Sequence, residues 1–206
     1  LERELPSAEL KDYTHIIIKE ADRLRNLVDQ MLGPNHLTNT SNINIHEILE
    51  HIRKLLKAET QNQLTISFDY DPSLPEITGD KAQLIQAMLN IARNGVESML
   101  EHGTANPSLL FKTRIQRNIT IGRKSLRLAL RVDIEDNGPG IKEELRENLF
   151  FPMVTGRSHG TGLGLSIAQT IIGQHKGMVQ FESEPGKTTF SIYFPLDTKG
   201  EPHAQS

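Results

Sequence analysis

The sequence predicts an α/β sandwich, a mixed sheet covered on one face by helices 46–59, 81–100 and 165–176. Three observations carry that expectation. Residues 126–134 alternate apolar and polar side chains, the period-two mark of a half-buried strand. Leu84, Ile85, Met88, Leu89, Ala92, Val96 and Met99 recur at the spacing of one helical face. Residues 165–172 form a second helical stretch that starts directly after a cluster of glycines.

The chain has 206 residues, room for one good-sized domain and a smaller element. Residues 7–32 read as a helix in which Leu10, Ile17, Leu24 and Met31 recur every seven positions. Ala21 and Val28 add to a coiled-coil-like seam, though an ordinary amphipathic helix shares the pattern. Gly33-Pro34 stops it, and the polar run 36–41 marks a domain boundary. The expected units are 1–36, a domain over 37–196, and a polar tail over 197–206. The start at Leu1-Glu2-Arg3 falls mid-pattern, so the chain is read as a piece of a longer protein.

Within the domain, Ile43-Asn44-Ile45 suggests a short strand, and helix 46–59 follows with Ile48, Leu49, Ile52, Leu55 and Leu56 on one face. Leu64, Ile66 and Phe68 alternate as a strand; Asp71-Pro72-Ser73-Leu74-Pro75 is a loop. Gly79-Asp80 leads into helix 81–100, with Asp80 as N-cap. The other side of that helix carries Gln83, Asn90, Arg93, Asn94 and Glu97, and Asn90 and Asn94 lie one turn apart. Gly95 costs the helix ~1 kcal/mol relative to alanine. Residues 109–115 and 118–121 read as strands or one ragged hairpin before the strand at 126. Residues 141–147 read as a short helix and 154–160 as a polar, glycine-bearing lid. Two strands, 178–183 and 188–194, close the domain around Glu184-Pro185-Gly186.

Two stretches carry the chemistry. Glu135-Asp136-Asn137-Gly138-Pro139-Gly140 sets a carboxylate at a strand end, followed by glycines that let the backbone approach a ligand. Gly160-Thr161-Gly162-Leu163-Gly164-Leu165-Ser166 opens a helix, where free N–H groups and the helix dipole suit phosphate. Alone, the first is commonly a solvated turn. The second fits neither the dinucleotide fingerprint nor the P-loop spacing. Their pairing is the stronger signal.

Composition excludes several classes. A net charge of -3 gives no reason to expect nucleic acid, and the absence of cysteine excludes disulfides and thiolate metal sites. No apolar run reaches the ~20 residues of a membrane helix, so no membrane partner is expected and a cytoplasmic location is. His46 and His51 are five apart, which spoils the face a zinc pair needs, and His46 is read as a solvated helix start.

Asp136 to Gly140, Leu149-Phe150-Phe151-Pro152-Met153 and Gly160 to Leu165 resemble the first glycine box, phenylalanine box and second glycine box of the sensor histidine kinase ATP-binding domain. Gyrases, Hsp90 and MutL share that domain. Asn90-Ile91-Ala92-Arg93-Asn94-Gly95 resembles its asparagine box, and the run Phe151 to Arg157 is similar to that of the nitrogen-regulation (NtrB) type. The resemblance covers roughly residues 37–196. It implies the histidine-kinase/Hsp90-like fold, with 1–36 holding the second helix of a four-helix dimerisation bundle made by two chains. The whole protein would then be a homodimer.

The resemblance further implies ATP and Mg²⁺ as cofactors. Asp136 would accept the adenine amino group, and Gly138 and Gly140 would allow close backbone approach. Asn94 would ligate Mg²⁺, which takes few protein ligands. Gly160, Thr161, Gly162, Leu163 and Gly164 would admit the phosphates. Asn90 stands where hydrolysing relatives place a glutamate, and a neutral amide is a much poorer base, which favours transfer to protein. Glu97 stands where many members have Lys or Arg. Arg93 and Arg157 are therefore candidates for transition-state charge, each equally readable as a surface arginine. The family's acceptor pattern, H-[ED]-x-x-[NT]-P, is absent, and His15 does not match it. The resemblance implies NtrC, a response regulator, and the signal protein PII as partners. The alternatives are a serine-type protein kinase or ATPase on the same fold, or a nucleotide-gated binding module.

Overall fold

The computed structural model describes residues 39–61, 63–122, 124–154 and 162–196. The chain divides into two compact units, Leu1–Asn35 and His36–Ser206. The expected helix 7–32, with His15, and the tail 197–206 lie outside the described residues.

The described chain runs β1 (Thr40–Ile43), α1 (Ile45–Glu59), β2 (Thr65–Asp69), β3 (Ile77–Asp80) and α2 (Lys81–Glu101). Then come β4 (Ser108–Ile121), β5 (Lys124–Asp136), the single-turn α3 (Glu143–Arg146), α4 (Gly164–Gln174), β6 (Met178–Glu184) and β7 (Lys187–Pro195). Five strands form one sheet in the order β2-β4-β5-β7-β6. β2 lies parallel to β4 and the other neighbours are antiparallel, so the sheet is mixed as expected. β1 and β3 pair separately.

Period-two alternation decides which side of the sheet the helices cover. Leu130, Val132 and Ile134 of β5 are buried beside Phe111 of β4 and Phe190, Ile192 and Phe194 of β7. α2 packs against β5 and β4, α4 packs against α2 and β6, and α1 packs on α2. Ile48, Leu49, Ile52 and Leu56 of α1 are fully buried, each such side chain contributing about 1.5–3 kcal/mol. The opposite side of the sheet is ionic. Lys112 pairs with Glu135 at 2.9 Å, and Arg131 with Asp133 at 2.7 Å.

Several local expectations shift. The first strand ends at Ile43, because Asn44 caps α1, its side chain accepting from His46 N–H at 2.9 Å. β3 was not expected: four residues containing a glycine carry no readable alternation, and pairing with β1 makes the strand. β4 runs unbroken through Asn118, which adopts φ +51° without shifting the register. Gln83 is buried rather than on the polar side, since its backbone and side-chain nitrogens both donate to Asp80. His46 is half-buried, not solvated. Its ring stacks on Tyr70 at 4.4 Å and Nε2 meets the buried Thr113 hydroxyl at 2.9 Å. Burial lowers its pKa, the nearby Asp71 carboxylate opposing.

Candidate functional site

α2 is the post around which the site is assembled. Asp80 caps it, accepting from Ala82 N–H at 3.1 Å and Gln83 N–H at 3.2 Å. Ten residues on, Asn90 Nδ2 donates to the Gly164 carbonyl at the start of α4, 3.2 Å away. One turn further, Gly95 faces Asp136 at the end of β5. A Cβ built on Gly95 would lie 2.8 Å from Asp136 Oδ2. The weak helix former therefore has a packing reason: only a hydrogen there admits the carboxylate. Asn94, beside it, is half-buried.

Asp136 itself is 7% exposed. Its Oδ1 accepts from Gly138 N–H at 2.9 Å, and a Cβ on Gly138 would meet the same oxygen at 2.7 Å. The carboxylate is thus clasped between two residues that have no side chain. Gly140, at φ +85°, runs against the backbone of Glu184 and Pro185, where a Cβ would come within 3.0 Å.

Partners on β6, β7 and the start of β4 hold this loop. Gly186 N–H donates to the Gly138 carbonyl at 2.8 Å, and Ile141 N–H to Ser183 Oγ at 2.8 Å. Ser183 Oγ meets the buried Thr188 hydroxyl at 2.9 Å, and Thr188 lies opposite Asp136 in the ladder. Asn137 reaches the other way, accepting from Ser108 N–H at 2.9 Å and donating to the Asn106 carbonyl at 3.1 Å. No periodicity marks these partners, because the pairings form only once β7 and β4 lie on either side of β5.

The second glycine cluster is described from Gly162. That residue has φ +66°, and a Cβ on it would sit 2.6 Å from the Met153 carbonyl carbon. Met153 N–H donates to the Gly162 carbonyl at 3.0 Å. Leu163 is buried, and as N-cap of α4 it makes no side-chain capping bond. Phe150 packs edge-on against Phe181 and Phe190, while Phe151 and Met153 are exposed. Gly160, Thr161 and Arg157 lie outside the described residues.

The structure thus brings Asn90, Asn94, Asp136, Gly138, Gly140, Gly162, Leu163 and Gly164 onto elements that meet along one stretch of α2. Arg93 is placed differently. Its guanidinium grips both carboxylate oxygens of Glu59 at the end of α1, the Nε contact measuring 3.0 Å. Those hydrogen bonds, with Glu59's charge, hold its pKa above the ordinary value, against some burial. Glu97 is exposed. Among the described residues no three His, Cys, Asp or Glu side chains gather as around a protein-held metal. None of the described helices is long and apolar enough to cross a membrane.

A family profile described as "Histidine kinase-, DNA gyrase B-, and HSP90-like ATPase" matches residues 79–198. The chain is 51% identical over 198 residues to the sensory histidine kinase/phosphatase NtrB of Vibrio alginolyticus, covering 95% of this chain and 55% of that protein. It is 45% identical over 196 residues to NtrB of Klebsiella oxytoca, with the same shares covered. The chain spans about half the length of these relatives. Among solved structures, full-length ShkA in complex with AMPPNP aligns with a TM-score of 0.73 at 24% identity, over 98% of this chain and 42% of that one. The catalytic domain of histidine kinase ThkA aligns with a TM-score of 0.63 at 24% identity, over 77% of this chain and 96% of that one.

Proposed function

Because the chain belongs to the histidine kinase-, DNA gyrase B- and HSP90-like ATPase family, we propose that it is the ATP-binding catalytic part of an NtrB-type sensor histidine kinase. One observation carries the reading: Asp136 and Gly164, from the two glycine-bearing stretches, contact α2 within the two turns that hold Asn90 and Asn94.

In this reading Asp136, fixed by Gly138 N–H, accepts from the adenine amino group. Gly138 and Gly140 let the base lie close to backbone. Asn94 would offer one amide oxygen to Mg²⁺, an ion that takes few protein ligands, so a half-buried asparagine, with no carboxylate cluster among the described residues, fits it. When bound, Mg²⁺ supplies charge neutralisation across the transferring phosphates. Gly160, Thr161, Gly162, Leu163 and Gly164 are assigned to admit the phosphates, since a helix start such as that of α4 suits an anion. Asn90 is held by its nitrogen and has no basic group to activate water, which directs the phosphoryl group to protein. Arg93 would have to release Glu59 to reach a phosphate, so of the two arginines we assign transition-state charge to Arg157.

The acceptor of the whole protein is a histidine on an H-E-x-x-N-P helix. The phosphoryl group then passes to an aspartate on a response regulator, NtrC, with PII in control. Homodimerisation, a cytoplasmic location and phosphate removal from the regulator belong to the same proposal.

The test is incubation with radiolabelled ATP and Mg²⁺, alone and with a protein supplying that helix. Phosphoryl transfer depends on in-line positioning, and a ~1 Å error can cost a hundredfold. The chain alone should stay unlabelled and the added helix should gain acid-labile label. Strong labelling of the chain alone, lost in His15→Gln, or no labelling of the added helix, would overturn the reading.

A further inference from the structure

His175 closes α4 and is 8% exposed, a histidine that the nucleotide reading leaves without a task. Its two ring nitrogens have different partners. Nδ1 lies 2.8 Å from the Ile171 carbonyl, which can only accept, so the proton sits on Nδ1. Nε2 then accepts from the backbone N–H of Asp80, 2.9 Å away and 95 residues distant in sequence. The ring packs edge-on to Phe194. Room for this reach is made at Gly79, where a Cβ would lie 2.6 Å from His175 Cδ2.

Asp80 is the N-cap of α2, so the imidazole ties the C-terminal end of α4 to the N-terminal end of α2. The opposite ends of the contact meet at Asn90 and Gly164. α4 is therefore fastened to α2 both inside the site and remote from it. We propose that His175 is a positioning residue: its hydrogen bond to Asp80 N–H sets the register of α4 against α2, and with it the distance from the second glycine cluster to Asn90 and Asn94. The functional half of this inference rests on the nucleotide reading above. The fastening itself does not.

Two conservative variants separate the inter-element bond from simple burial. His175→Gln can place an amide oxygen near the Nε2 position and keep the acceptor for Asp80, while giving up the donor to Ile171. His175→Asn can keep the donor to Ile171 but falls short of Asp80. Each loses one buried hydrogen bond, so both should lower Tm by similar amounts. Affinity for AMPPNP, measured by calorimetry well below Tm, should be within about threefold of wild type for His175→Gln and weaker by about tenfold for His175→Asn. Gly79→Ala, which pushes the ring away without altering it, should resemble His175→Asn.

Amide exchange without nucleotide provides a reading independent of ligand. Asp80 N–H and Ile167 N–H, which closes the first turn of α4 on the Leu163 carbonyl, should exchange faster in His175→Asn and Gly79→Ala, and near wild-type rates in His175→Gln. Equal exchange in the Gln and Asn variants overturns the fastening. Exchange as expected with equal AMPPNP affinities overturns the positioning role. Wild type that fails to bind AMPPNP overturns the nucleotide reading and, with it, the functional half, while exchange still decides the fastening.

Discussion

Asp136 and Asn94 stand on neighbouring elements, yet their surroundings are built to different tolerances. The Asp136 carboxylate is buried and touched on two sides by positions where even a methyl group would collide, Gly95 and Gly138. Its loop is then held from two directions, by the β6–β7 turn and by Asn137. Asn94 is half-buried on α2, one turn beyond Asn90, which donates to the Gly164 carbonyl of the second glycine cluster. A group that reads a flat base must be fixed in orientation before the ligand arrives. A group that shares a hydrated ion with phosphates can leave part of the geometry to water. In the proposed reading, one end is specified by packing and the other is completed by its ligand.

That contrast can be broken most severely at Asn94. If the proposed assignment holds, Asn94→Ala removes the Mg²⁺ ligand and should cut phosphoryl transfer to an acceptor helix by about a thousandfold or more. Tm should move little, because the side chain is half solvent-facing. Wild-type transfer by this variant would end the metal assignment. Asp136→Asn comes next. It should weaken ATP-analogue binding by about ten- to a hundredfold, the worth of one charge-assisted hydrogen bond. Titration showing unchanged affinity with GTP still rejected would contradict the adenine role.

Gly95→Ala sharpens the comparison, since the helix alone should gain up to ~1 kcal/mol from it. A Cβ 2.8 Å from Asp136 Oδ2 must instead displace the carboxylate, so affinity should fall by about tenfold. Combined with Asp136→Asn the two losses should not add, because both act on one contact. Additive losses would separate Gly95 from Asp136. The smallest effect is expected at Thr188→Val. Ser183 would lose its hydroxyl partner but keep Ile141 N–H, giving about 1 kcal/mol of destabilisation in denaturant titration. Affinity should change by less than about twofold; a larger loss would place Thr188 in the site itself.

What was legible beforehand follows from where each signal resides. Helices α1, α2 and α4 and strands β5, β6 and β7 announce themselves through their own periodicity, because each buries one face continuously. Asp80 as a cap and the two glycine-bearing stretches are equally local, being set by backbone needs of a few residues. β3 and the unbroken β4 were not legible, since a four-residue strand and a left-handed Asn118 owe their state to the partner strand. Sequence left Arg93 open between transition-state charge and a surface arginine; only the packing of α1 on α2 brought Glu59 to it. It marked Gly95 as a cost to the helix, and only the sheet's approach showed that Asp136 requires the missing side chain. The bond from Asp80 to His175 spans 95 residues, and no local pattern can encode a distance of that kind.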